Sequence, residues 1–203
     1  MKDLENYKKE TLTIDLVKAN IYGFFGMIPI VMIYAIPFYM IWKEKLTVLN
    51  FKNYIKEFSI VNNSFLFSVS IIIVIILGII MHELIHGITW SKYTEKGFKS
   101  IKFGILWKML TPYCHCKEPL KVKEYIFGAI MPAIVLGFIP AIYAIIFGNI
   151  LLLVFGIFFT TVAIGDFMII NLLRKENMNS FVLDHPTEAG CFIYRKIELE
   201  VNI

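Results

Sequence analysis

The sequence predicts an all-α membrane protein of four transmembrane helices, with a short cytoplasmic loop of β-hairpin character between the second and third. Three observations predict it. Hydrophobic residues make up 58% of the 203 and charged residues 18%, against roughly 45–50% and about 25% in soluble domains. The apolar residues gather into four runs, each near the roughly 20 residues a helix needs to cross the hydrocarbon layer. Lysine and arginine lie mainly between the runs, the placement found in loops of membrane proteins. The chain, 1–203, reads as a single integral membrane domain, because no internal repeat or Gly/Ser-rich linker divides it.

The first run is Gly23 to Trp42 and the second Phe65 to Trp90. The third is Ile126 to Phe147, and after a turn at Gly148-Asn149 the fourth is Ile150 to Leu173. The expected spans are therefore 23–42, 65–90, 126–147 and 150–173, the last two forming a helical hairpin. Tyr22, Trp42, Trp90 and Tyr93 stand at span ends, where amphipathic rings suit the interface. Pro29, Pro37, Pro132 and Pro140 fall inside spans, where neighbouring helices can satisfy the freed carbonyls. The polar first 20 residues give no sign of a cleavable signal peptide.

Charge sets the expected orientation. Lys2, Lys8, Lys9 and Lys18 precede span one; eight lysines, Lys108 among them, lie in 91–125; Arg174, Lys175, Arg195 and Lys196 follow span four. The opposite side carries only Lys43, Lys45, Lys52 and Lys56. This bias places both termini, the loop 98–120 and the tail 174–203 in the cytoplasm. Basic residues strung between apolar runs do not make a nucleic-acid patch, so the expected surroundings are a lipid bilayer and no nucleic acid. Three cysteines, Cys114, Cys116 and Cys191, are no disulfide framework, and a cytosolic location keeps them reduced.

Span two carries His82-Glu83-Leu84-Ile85-His86, an HExxH sequence. Residues four apart share a helix face, so both imidazoles can reach one ion. Glu83, about 100° further round the helix, is placed to act as general base on an attacking water. Ionisable groups inside a bilayer are costly and mark function. Those within the spans are His82, Glu83, His86 and, in span four, Asp166. A catalytic zinc site takes three protein ligands, and His82, His86 and Asp166 supply them, for one zinc ion per chain. Depth agrees: His82 lies about 26 Å along span two and Asp166 about 24 Å along span four. Two carboxylates balance Zn²⁺. Asp184, in Asp184-His185-Pro186, is the reserve third ligand should the tail fold back.

The runs His82–Gly87, Cys114–Leu120 and Gly165-Asp166 occur in that order. In this the sequence resembles the intramembrane metalloproteases of the site-2 protease type. It is more closely similar to the putative zincin peptidases, a family of bacterial membrane proteins, over about residues 65–190. The resemblance implies His82, His86 and Asp166 as zinc ligands and Glu83 as catalytic base. The expected activity is a zinc-dependent endopeptidase within the membrane, cleaving membrane-associated peptides or proteins near the cytoplasmic face. A non-proteolytic zinc-binding regulator or a metal transporter is the alternative, although transporters usually place ionisable residues on several spans of repeated halves.

Between spans two and three, Phe98 to Met109 partly alternates apolar and polar residues, which predicts a strand or hairpin. Its edge at Ile101–Ile105 offers a place for an extended substrate; a basic loop lying on anionic headgroups is the alternative. Cys114-His115-Cys116 is too tight for a common structural zinc motif. It reads as a packed loop at the mouth of the site, or, with His185 or Cys191, as a second metal site.

Overall fold

The computed structural model describes residues 6–46, 64–106, 111–186 and 188–197. Lys2, Lys52, Lys56, Lys108 and Met109, used above for orientation and for the loop, lie outside them. The chain opens with strand β1 (Tyr7–Thr13) and passes into helix α1 (Leu16–Trp42). Helix α2 (Ser64–Ser91) carries the HExxH sequence. A 3₁₀ turn, Gly97–Ser100, then leads to β2 (Ile101–Leu106) and β3 (Thr111–Cys116), which pair antiparallel with Phe103 opposite Cys114.

The two-residue strand β4 (Leu120–Lys121) runs directly into α3 (Val122–Pro132). Glu124 closes that helix's first turn by accepting from the Lys121 N–H at 2.9 Å, a stabilising arrangement where donors are otherwise orphaned. The helical path continues through a π-helical segment, Ala133–Phe138, into α4 (Ile139–Phe147). Pro132 and Pro140 account for the irregularity, since proline cannot supply an i to i−4 donor. Asn149 caps α5 (Ile150–Val162), accepting from the Leu152 N–H at 2.9 Å. Helix α6 (Ile164–Leu173) follows, then β5 (Phe181–Asp184) and β6 (Gly190–Lys196).

The all-α expectation of four helical spans is overturned. The fold is mixed α/β: β1, β6, β5 and β4, in that order, form a four-stranded antiparallel sheet, and β2–β3 a two-stranded one. Among the described residues, three helices are long and apolar enough to cross a membrane: Ile21–Trp42, Phe65–Ser91 and Val122–Phe147. The fourth run is not one helix. Its halves, α5 and α6, are bent by 42° at Ala163, although together they have the length and composition to cross. The cause lies in the preceding turn. Thr160 and Thr161 donate their hydroxyls to the carbonyls of Gly156 and Ile157, each at 2.8 Å, and such back-bonding bends helices. Ala163 itself leaves helical geometry at ψ 3°.

Two apolar cores result. One joins α1, α4 and α5 through Tyr34, Phe38, Ala141 and Leu153. The other packs the sheet beneath the helices, with Leu120, Val122, Val182 and Ile193 fully buried against Leu173. Elsewhere the helices face outward with apolar side chains: Phe24, Met40 and Phe65 are 66%, 69% and 71% exposed. An apolar exterior of this extent needs lipid or another chain against it. Arg195 of β6 fastens the sheet, hydrogen-bonding Glu10 of β1 and both oxygens of Glu176. Those bonds hold the Glu176 carboxyl below the usual range.

Candidate metal centre

Helix α2 presents His82 and His86 one turn apart, each only 4% exposed. The bend at Ala163 starts α6 at a new angle, and Asp166 sits in its first turn, facing α2. The side chains converge. His82 Nε2 lies 3.1 Å from Asp166 Oδ2, and His86 Nε2 lies 3.3 Å from Asp166 Oδ1 and 3.3 Å from His82 Nε2. All three ligand atoms fall within 4.8 Å of one another.

The tautomers follow from the partners. His86 Nδ1 is 2.9 Å from the Gly128 carbonyl. A carbonyl only accepts, so Nδ1 carries a proton and Nε2 is the nitrogen left to serve as a ligand. Nε2 faces His82 Nε2 and the Asp166 carboxylate, three ligand atoms gathered where a cation can sit between them. His82 Nδ1 is buried and has no hydrogen-bond partner among the described residues. His82 is therefore held from its other nitrogen. Two imidazoles and one carboxylate are the donor set and number of a catalytic zinc site, and the residues fit that ion.

Support for His86 comes from Trp90, one turn further along α2, and from α3. Trp90 stacks on the His86 ring at 5.0 Å and 15°, and Tyr125 stacks on Trp90 at 5.0 Å and 19°. Trp90 Nε1 donates to the Tyr125 carbonyl at 3.0 Å. This packing needs glycine at 128, where a Cβ would lie 2.1 Å from Trp90 Nε1. Gly128 thus serves twice, through its carbonyl and through its missing side chain. The contacts of Tyr125 and Gly128 are not predictable from the sequence, because they join α2 to α3 across 35 residues or more.

Glu83, beside the ligand pair on α2, is half-buried and accepts from the backbone N–H of Cys114 in β3. A cavity of about 460 Å³ opens here, lined by His82, Glu83, His86 and Asp166 together with β3 and the turn after β5. The strand nearest the site is therefore β3. The edge expected at Ile101–Ile105 belongs to β2, which lies behind β3; its Phe103 packs where a Cβ on Gly87 would stand 2.6 Å away.

Asp184 lies apart from the three converging side chains. It accepts from the Cys116 N–H at 2.7 Å and from the Tyr125 O–H, and stands 3.9 Å from His115 Nδ1. Burial pushes its carboxyl above the usual range, with the Tyr125 and Cys116 donors pulling the other way. Cys114, Cys116 and Cys191 are free thiols. Burial raises all three, Cys116 and Cys191 to about 12. Among the described residues, His82, His86 and Asp166 form the only group able to hold a metal, so the second site considered for Cys114-His115-Cys116 does not assemble there.

The profile of the family described as "Putative zincin peptidase" matches residues 75–181, more than half of the chain and all the residues of this centre. No curated protein and no solved structure matches the chain. The chain belongs to the putative zincin peptidase family.

Proposed function

We propose that this family member is a zinc-dependent endopeptidase acting within the membrane, on membrane-associated peptides or proteins near the cytoplasmic face. The convergence of His82, His86 and Asp166 within 4.8 Å, on helices of apolar exterior, carries the reading. In it these three side chains hold one zinc ion. Zinc, when bound, supplies Lewis acidity toward the scissile carbonyl.

The chain's own groups do the rest. Glu83 accepts the proton of the attacking water on its carboxylate and returns it to the leaving amine. The Cys114 N–H steadies that carboxylate. Strand β3 lines the cavity beside Glu83, so a substrate segment entering the cavity passes along it with its scissile bond near the base. Trp90 and Tyr125 close the cavity behind His86.

Orientation draws on the sheet. It gathers β1, β4, β5 and β6, and with them the N-terminal strand, the segment before α3 and the tail, on one side of the helices. The lysine and arginine excess of those segments favours the cytoplasm for that side. Glu83→Gln tests the proteolysis. Membranes holding the wild-type chain should contain shortened forms of a membrane polypeptide that stays full-length with Glu83→Gln. Identical fragments from both would refute the assignment.

A further inference from the structure

We propose that Asp184 is a positioning residue of this centre, whose carboxylate ties the strand abutting Glu83 to the ring stack behind His86. The inference rests on the reading of Glu83 as general base.

Asp184 ends β5, in the sheet built from the chain's two ends. It is only 9% exposed. A buried carboxylate is costly unless its oxygens are satisfied, and here each has a different task. One oxygen takes the backbone N–H of Cys116 at 2.7 Å. Among the described residues strand β3 pairs with β2 alone, so on this side a side chain takes the place of a neighbouring strand. Two residues earlier on β3, the Cys114 N–H meets Glu83. The other oxygen takes the O–H of Tyr125, whose ring begins the stack through Trp90 to His86.

One side chain therefore fixes β3 against Glu83 and the aromatic stack against His86. Hydrogen bonds to a charged acceptor are stronger than neutral ones, and a catalytic group tolerates little displacement. An amide of the same size can keep both contacts only as neutral bonds, with the Tyr125 bond reversed, because its NH₂ donates where the carboxylate oxygen accepted.

The test compares full-length wild type and Asp184→Asn in detergent. Zinc content is measured, with hydrogen exchange over 111–116 and 190–196 and the labelling rate of Glu83 by a hydrophobic carbodiimide. In Asp184→Asn, zinc content should stay as in wild type. Exchange over 111–116 should rise several-fold, as a bond to a charged acceptor becomes a neutral one roughly half as strong, and Glu83 should label faster. Exchange over 190–196 should not change. Unchanged exchange over 111–116, or equal acceleration in both segments, would overturn the proposal. Should Asp184→Asn not fold, the wild type decides by residue-resolved exchange. A slow Cys116 amide upholds the tie, and one exchanging as freely as an exposed amide overturns it. Absence of zinc from wild type would instead refute the metallopeptidase reading, and the exchange result would still stand.

Discussion

Gly128 has no side chain, yet it acts on His86 in two ways. Its carbonyl fixes the Nδ1 proton, and its bare Cα admits Trp90. Gly128→Ala places a Cβ 2.1 Å from Trp90 Nε1, and the indole must leave its stack on His86. Loss of an outer support of a metal ligand typically lowers metal affinity about 10–100-fold. Zinc affinity by chelator competition should fall by that order, with the chain still folded; unchanged affinity would mean that the stack does not support His86. Residues of this kind were invisible in the sequence. His82, Glu83, His86 and Asp166 were legible because an ionisable side chain stands out in an apolar run. Gly128 and Tyr125 are ordinary residues of membrane helices, and their contacts with His86 and Trp90 appear only once α2 and α3 are packed. Asp184 was legible as a polar residue near the site, but its tie to Cys116 and Tyr125 was not.

The apolar elements were readable and the strands largely were not. Runs of about 20 apolar residues located α1, α2 and the α3–α4 path, because length and hydropathy decide such helices locally. The sheet depends on pairing over long separations. Tyr7 faces Lys196, and Lys9 faces Tyr194, yet Tyr7–Thr13 is mostly polar and β4 has two residues. The break at Ala163 is hidden because the residues around it, Val162 and Ile164, continue an apolar run; the threonine pair at 160 and 161 is its local mark. The Arg195 clasp gives the sheet a pH dependence with a definite sign. Arg195 holds Glu176 below its ordinary value of 4.5, so the folded chain binds that proton less readily than the unfolded one. The stabilisation is fully present above about 4.5 and drains as pH falls below it. Wild type should therefore melt above Glu176→Gln at neutral pH, with the gap narrowing in acid below the ordinary glutamate range. A gap that is independent of pH would show that the carboxylate charge contributes nothing.

For the molecule as a whole, one sheet pairs β1 with β6, so residues 7–13 and 190–196 lie on the same side of the helices. Helix α1 leads away from that side, and Leu46 follows its far end. A reporter active only outside the cytoplasm should be silent when fused at either terminus and active when inserted after Leu46. Activity at one terminus alone would contradict the sheet. This arrangement sets the centre beside β3 and the terminal sheet, at the end of the helices that the strands cover.

The central claim is that His82, His86 and Asp166 hold a zinc ion that Glu83 serves without binding. Zinc per chain, measured on protein purified without chelators, tests it most directly. Wild type and Glu83→Gln should each carry about one zinc, while His86→Ala and Asp166→Ala should lose it. A wild type without zinc, or an Asp166→Ala that keeps it fully, would contradict the account.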